Sequence, residues 1–403
     1  METETLQQKK IKLTPKLRFE EFEEPWNKQK LGTIASLISG FAFKGEHFTE
    51  EGQKVLIPKN FTQNGYGNFS ENFLKYTTEK PEEKYECRRN DLLVLLTDLT
   101  STCELLGKPL WLLEDDVFYL NQRIVKLLID SDDLSKNFIF YSLQTENYHK
   151  KIVETATGST VRHSSNKILL NYLLSLPNFP EQQKIATFLS AVDKKLQQLT
   201  RKKALLETYK KGVIQKLFSQ EIRFKDYNSS KNGILERDFP EWEEKKLGQV
   251  LKIGSGKDYK HLGEGDIPVL GTGGTMTYVN DYLYEGESVG IGRKGTIDKP
   301  VYLTGKFWTV DTLFYTHSFN KVLPKFVYII FQQINWRKHN EASGVPSLSK
   351  ATIETIKVKI PCLEEQQKIA NFLSAIDKKS EAVSQQIDKM QSFKKGLLQQ
   401  MFV

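Results

Sequence analysis

Apolar residues recur every seven positions through two long, otherwise polar stretches of this chain. In the first they fall at Ile185, Val192, Leu199, Leu206 and Val213, and in the second at Ile369, Ile376, Val383, Met390 and Leu397. Phe188, Leu189, Leu196 and Tyr209 widen the first stripe; Phe372, Leu373, Ile387 and Phe393 widen the second. Both stretches are rich in Lys, Gln, Glu, Leu and Ala and lack proline after their opening residues, a composition that favours helix. Each contains one internal glycine, Gly212 or Gly396. A sustained seven-residue period predicts a helix that packs along a partner helix. A helix of this kind, with 1.5 Å of rise per residue, makes a rod of roughly 58 Å, longer than the ~34 to 36 Å of one DNA turn.

The two stretches are near copies of each other. EQQKIATFLSAVDKK at 181–195 returns as EQQKIANFLSAIDKK at 365–379 with two changes in fifteen positions, and YKKGVIQKLF at 209–218 returns as FKKGLLQQMF at 393–402. Both matches have an offset of 184 residues. Solenoid repeats recur every ~20 to 50 residues, so a period near half the chain implies two half-molecules, each a lobe closed by the same kind of helix. The expected partner of each helix is the other copy. A weaker repeat opens each lobe: Trp26 and Leu31-Gly32 match Trp242 and Leu247-Gly248 at an offset of 216. The fall from 216 to 184 makes the first lobe 32 residues the longer.

Between these landmarks both lobes show short β-rich runs, such as DLLVLL (91–96) and SVGIG (288–292), followed by helical patches such as KFVYIIFQQINW (325–336). The expected fold class is therefore α/β, more strictly α+β: two globular recognition-type domains and a pair of long antiparallel coiled-coil helices in a pseudo-two-fold internal repeat. The expected organisation is an N-terminal segment (1–30), a first lobe (31–178), a central helix (179–225), a polar, turn-rich linker (226–240), a second lobe (241–361) and a C-terminal helix (362–403).

Composition narrows the class. The chain of 403 residues carries a net charge of +8, and much of the excess lies on the helices: residues 181–225 hold eleven Lys or Arg against four Asp or Glu. A basic surface suggests an acidic partner such as nucleic acid, although a lysine-rich solvated helix face gives the same count. No run of about 18 apolar residues suggests a bilayer span, and the polar first residues do not read as a secretory signal. Cys87, Cys103 and Cys362 make no metal spacing. A cytoplasmic protein with free thiols and no membrane partner is expected.

At this point the residues resemble a known family. The twin EQQKIAxFLSAxDKK helices, each closing a divergent lobe, resemble the specificity (S) subunit of type I DNA restriction-modification enzymes, over nearly the whole chain. SGFAFKGEHFTEEGQKVLIPKNF (39–61) is similar to the family's usual lobe opening, and the run from 269 to 316, containing GIGRKGTIDKP, is similar to one common type of target recognition domain. TDLTSTCELLGKP (97–109) takes the place of GRKGTIDKP in the first lobe and lacks its arginine. The resemblance implies that each lobe reads one half of a split, asymmetric double-stranded DNA site. It also implies that the helices set the spacing and dock two methylation (M) subunits, with restriction (R) subunits joining when cleavage is possible.

Base readout needs donors and acceptors carried into a groove, and phosphate contacts add position. In the second lobe the candidates are Lys257, Tyr259 and Lys260 in GSGKDYKH, Thr272 in GTGGT, and Arg293, Lys294, Thr296 and Lys299 in GRKGTIDKP. In the first lobe they are Lys44, Lys59 and Asn60 in the opening motif, Thr97, Asp98, Thr100 and Ser101, and Arg162 and His163 in TGSTVRHSS, whose counterpart is SGVPSLS (343–349). Catalytic readings fare poorly. No Pro-Pro occurs, as an Asn/Asp-Pro-Pro-aromatic methyltransferase motif would require, and the phosphate-loop pattern fails at Gly256-Lys257 and at Gly107-Lys108. A non-catalytic reader is expected, with S-adenosylmethionine, ATP and magnesium belonging to partner subunits and no cofactor or metal of its own. A coiled-coil adaptor whose lobes bind protein rather than DNA is the alternative.

Overall fold

The heptad stripes fold as two long helices, Phe179–Phe218 and Leu363–Gln400, in a computed structural model that describes residues 14–98, 100, 102–129, 131–158, 161–230 and 233–403. The chain divides into two units. The first comprises Met1–Arg201 with Ser384–Val403, and the second Lys202–Val383. Each unit thus holds part of both long helices. In the first, Ile185, Leu189 and Val192 share a core with Leu397 and Met401; in the second, Ile214 and Leu217 share a core with Ile369, Leu373 and Ile376. The start of one helix therefore lies along the end of the other in both units, which makes the pair antiparallel. Of the ten heptad residues, Leu206, Val213 and Met390 are half-buried and the other seven buried.

The opening of the repeated motif has a structural meaning. Glu181 is fully buried and receives Nε and Nη2 of Arg18 at 2.8 and 2.7 Å, with the Trp26 indole N–H at 3.3 Å. Glu365 receives Nε and Nη2 of Arg223 at 3.3 and 2.9 Å and the Trp242 indole at 3.1 Å. The following glutamine pins a lobe helix to the same helix start. Gln182 accepts from Ser135 N (3.0 Å) and donates to Pro177 O, while Gln366 accepts from Leu323 N (2.8 Å) and donates to Pro361 O. A buried carboxylate persists when opposite charge and hydrogen bonds replace its water, so EQQ fastens each helix to its lobe.

The lobes are built to one plan. A four-stranded antiparallel sheet in the first unit runs Ser36–Ser39, Ile124–Leu128, Leu92–Leu95, Pro109–Trp111 in spatial order. The second unit repeats it as Lys252–Gly254, Leu313–His317, Ser288–Gly292, Val301–Leu303. A second sheet in each carries one parallel pair, Tyr119 beside Val55 and Val269 beside Trp308. Register gives the correspondence: Leu128 pairs Ser36 as His317 pairs Lys252, and Ile124 pairs Leu95 as Leu313 pairs Gly292. The offset is 216 at Ser36 and Lys252 but 197 at Leu95 and Gly292, so most of the first lobe's extra residues lie between those strands.

The segment expected as a linker, 226–240, differs from that reading. Lys225–Ser230 and Gly233–Asp238 form a two-stranded antiparallel ladder in which Ser230 pairs Gly233. Arg18 precedes Trp26 by 8 residues and Arg223 precedes Trp242 by 19, and the hairpin lies within the longer of these two stretches.

Candidate nucleic-acid interface

In the second lobe three glycine-bearing loops leave the ends of their strands and meet at one short segment, Thr309 to Thr312. Lys257 N donates to Thr309 O (2.8 Å), Val310 N to Leu270 O (3.0 Å) and Arg293 N to Thr312 O (2.8 Å). The Arg293 loop is held on its other side by an antiparallel bridge between Lys294 and Ser347 and by Gly295 N donating to Pro346 O at 2.8 Å. Gly292 is needed here, since a Cβ would stand 2.0 Å from Thr296 O and 3.2 Å from the Thr272 methyl.

With the backbone so fixed, Arg293 and Lys294 are exposed. They line a cleft of about 520 Å³ with Ser255, Phe314, Ser349 and Lys350. The Arg293 guanidinium sits 5.9 Å over the Phe314 ring, a cation–π placement. Glu341, in the same cleft, accepts from Thr352 Oγ1 and from Ser349 Oγ (2.7 Å), which hold its carboxyl below the usual range. Lys257, Lys260 and Lys299 are exposed, while Tyr259, Thr272 and Thr296 are half-buried, Tyr259 against the Val269 and Trp308 cluster. The structure thus gathers Lys257, Thr272, Thr296, Arg293 and Lys294 around one loop junction.

The corresponding junction of the first lobe has the same frame. Leu96 N donates to Arg123 O and Ser164 N to Leu96 O, as Arg293 N donates to Thr312 O and Leu348 N to Arg293 O. Thr97 pairs His163 where Lys294 pairs Ser347. The side chains differ in kind. Leu96 is buried where Arg293 is exposed. Thr97 and Asp98 are also buried. Asp98 accepts from Thr100 N and Oγ1 (both 2.8 Å) and from Leu105 N (2.9 Å), shaping the loop from within. Thr97 Oγ1 lies 3.0 Å from His163 Nδ1. Thr100 and His163 are exposed, and Ser101 lies outside the described residues.

Two first-lobe candidates have their polar groups turned inward. Arg162 Nη2 donates to Val153 O (3.2 Å) and Ala156 O (3.5 Å) at the end of helix Glu146–Glu154, where a cation complements the helix dipole. Asn60 is 1% exposed: Oδ1 accepts from Ile57 N (2.8 Å), and Nδ2 donates to Asn68 O (3.0 Å) and Phe73 O (2.9 Å). Its amide braces a loop and presents no free edge. Lys44 and Lys59 are exposed on other loops of the lobe.

The sequence reading omitted an ionic pair shared by the long helices. Asp193 and Lys394 lie 2.7 Å apart and buried in the first unit, and their counterparts at the 184 offset, Asp377 and Lys210, lie 2.6 Å apart in the second. The signal was present, because both residues stand inside the repeated blocks.

Comparison with known proteins agrees with this doubled plan. A family profile described as "Type I restriction modification DNA specificity domain" matches residues 23–208 and 240–391. Among curated relatives, the MjaVIII specificity subunit of Methanocaldococcus jannaschii is 26% identical over 52% of this chain and 49% of its own, and the EcoBI specificity subunit of Escherichia coli 26% over 47% and 38%. The chain thus spans half or less of the length of these two. A putative MjaX specificity subunit from M. jannaschii is 24% identical over 72% of both chains. Among solved structures, the type I restriction-modification S subunit from M. genitalium superposes with a TM-score of 0.62 at 20% identity, covering 97% of this chain and 99% of that one. A chain from a study of type I R-M complex assembly superposes at 0.53, with 12% identity, 93% of this chain and 96% of that one covered. These two show a shared fold.

Proposed function

The chain belongs to the type I restriction-modification DNA specificity family, and on that premise we propose that it reads a split DNA site, one half with each lobe, and carries methylation subunits on its long helices. The observation that carries this reading is the loop junction that recurs in both lobes on one backbone frame with unlike side chains: Arg293, Lys294 and Gly295 in one, Leu96, Thr97 and Asp98 in the other. One frame approaches DNA one way, and different side chains read different bases. The site is then asymmetric, whereas two identical readers would demand a palindrome.

In the second lobe Arg293, Lys294, Lys257, Lys260 and Lys299 supply charge for phosphates and Arg293 a fork suited to a guanine edge, with Tyr259, Thr272 and Thr296 beside them. In the first lobe Thr100 and His163 offer a hydroxyl and an imidazole, Lys44 and Lys59 supply charge for phosphates, and Thr97, Asp98, Asn60 and Arg162 hold the loops that present them. Methyl transfer and ATP-driven cleavage, with S-adenosylmethionine, ATP and magnesium, belong to the methylation and restriction partners.

The test is a map of N6-methyladenine in DNA of cells carrying a methylation subunit with this chain, without it, and with residues 248–361 exchanged for another second lobe. A split, asymmetric motif that needs the chain, and changes in one half only after the exchange, is the expected result. An unchanged motif after the exchange defeats the two-lobe reading. Assembly without any new motif favours the protein-binding adaptor.

A further inference from the structure

The paired residues Asp193/Lys394 and Asp377/Lys210 occupy equivalent places on the long helices, yet their surroundings are opposite. The Asp193 and Lys394 side chains are 4% and 8% exposed, whereas those of Asp377 and Lys210 are 53% and 22% exposed. Around Asp193 the first unit supplies a complete set of partners. Tyr141 OH donates to its Oδ2 at 2.9 Å and Tyr66 OH at 3.1 Å, Lys394 bonds its Oδ1, and Lys394 Nζ also donates to Gln144 Oε1 at 3.0 Å. Burial and the Asp193 charge raise both phenols, so both hydroxyls stay protonated and donate.

Tyr66 reaches this place from a loop within the longer part of the first lobe. Gly65, at φ +83°, turns the loop so closely that a Cβ would stand 2.7 Å from the Phe140 ring and 2.9 Å from Gln144 Nε2, and Trp111 N donates to Gly65 O at 2.8 Å. Tyr66 then packs on Phe140 with ring centroids 5.6 Å apart.

The second unit has an open groove at the equivalent place. The lobe helices correspond through Ser135 and Leu323, whose backbone N–H groups meet Gln182 and Gln366; that register sets Ile329 at the place of Tyr141 and Gln332 at that of Gln144. Two adjoining cavities of about 350 and 260 Å³ share Lys210, Gln332 and Asp377. Ile376 lines one, and Tyr328, Leu373 and Ser374 line the other. Ser374 is the counterpart of Ser190, whose Oγ lies 3.2 Å from Tyr141 OH in the first unit. The second unit therefore has an exposed carboxylate and an open cavity, with Ile329 standing in place of Tyr141 on its apolar floor.

We propose that a methylation subunit inserts a tyrosine-bearing segment into this groove, its hydroxyl donating to Asp377, and that Tyr66 and Tyr141 close the matching place in the first unit from within. The two docking surfaces are thus inequivalent. This rests on the methylation-subunit reading above, and the first unit states the chemistry of the occupant: an aromatic ring between Gln and the helix pair, with a hydroxyl on the aspartate.

The experiment titrates the full-length chain with its methylation subunit and counts bound copies by native mass spectrometry, with affinities from sedimentation. Asp377→Asn removes the charged acceptor, and Ser374→Trp fills the groove. Each is expected to weaken one binding step at least tenfold and leave the other unchanged, while Tyr66→Phe leaves both steps unchanged. Asp377 is exposed, so Asp377→Asn with an unaltered circular-dichroism melt keeps the result separate from misfolding. Two unaltered steps in both groove variants overturn the groove assignment alone, as does equal weakening of both steps. Self-association of the free chain that Ser374→Trp abolishes assigns the groove to a second copy and also overturns it. Failure of the unsubstituted chain to bind any methylation subunit overturns the reading of function and this inference together.

Discussion

The two lobes place different chemistry on the same ladder. Thr97 with His163 and Lys294 with Ser347 are equivalent backbone pairs, as are Thr157 with His163 and Glu341 with Ser347. In the first lobe the preceding position is a buried leucine, and the arginine nearby is fastened to a helix end. In the second the preceding position is an exposed arginine. The contrast separates what the fold requires from what a ligand sees: the hydrogen-bonded frame is retained while the outward side chains change charge and size. The long helices show the complementary case, in which the same ion pair is retained while its surroundings change from closed to open.

The largest effect expected from this contrast concerns that pair. Lys394→Met leaves Asp193 as a buried charge without its cation, a loss of about 3 to 5 kcal/mol, while Lys210→Met at the exposed site costs about 0 to 1 kcal/mol. Hydrogen exchange read separately over 185–201 and 206–218 checks this without assuming a single unfolding step. Equal loss of protection at both sites would show that the burial of Asp193 carries no energetic weight.

The next effect concerns the arginines. Replacing both Arg293 and Lys294 by alanine should weaken DNA binding by the assembled complex and lower the salt slope of the affinity by about 0.9 for each phosphate that is no longer neutralised. If Arg293 grips a guanine, about 1 to 3 kcal/mol of discrimination at one base pair goes with it. Arg162→Ala should leave the salt slope unchanged and cost about 0.3 to 1 kcal/mol of folding stability, the worth of a cation at a helix end. Fluorescence anisotropy across a salt series reads the first, and denaturant melts read the second. A fall in salt slope for Arg162→Ala would place that side chain on DNA and reverse the assignment.

Much of the frame was legible because its signals are local or periodic. The heptads mark the long helices, and the 184 offset matches Glu181 with Glu365 and Asp193 with Asp377 without a structure. The direction of individual side chains was not legible. Arg162 and Arg293 look alike in sequence, but one finds carbonyls at a helix end and the other a ring and a cleft. Asn60 reads as a base-reading amide until Ile57, Asn68 and Phe73 are seen to use it. The covering of Asp193 depends on Tyr66, 127 residues earlier, a pairing that no periodicity announces. The hairpin at Lys225–Ser230 and Gly233–Asp238 lay in a stretch whose polar composition also suits a linker.

The smallest expected effect is a pH dependence confined to one lobe. Glu341 stands where the first lobe has Thr157, so at this position the second lobe carries a carboxylate and the first a neutral side chain, while the first lobe's own carboxylate, Asp98, lies buried inside its loop. Thr352 and Ser349 donate to the Glu341 carboxylate and lower its pKa below the ordinary value of 4.5. The folded protein thus binds fewer protons at this group than the unfolded chain does in the window between the two values. The stabilisation is complete above the unfolded value and is lost as pH falls through the folded one. Melting curves of the unsubstituted chain and Glu341→Gln should differ most at neutral pH and converge below pH 4.5, because protonated Glu341 and glutamine then accept alike. Protection in 157–165 of the first lobe should not respond to the substitution at any pH. A gap between the two proteins that persists undiminished in acid would assign the effect to shape and packing instead of to the carboxylate's charge.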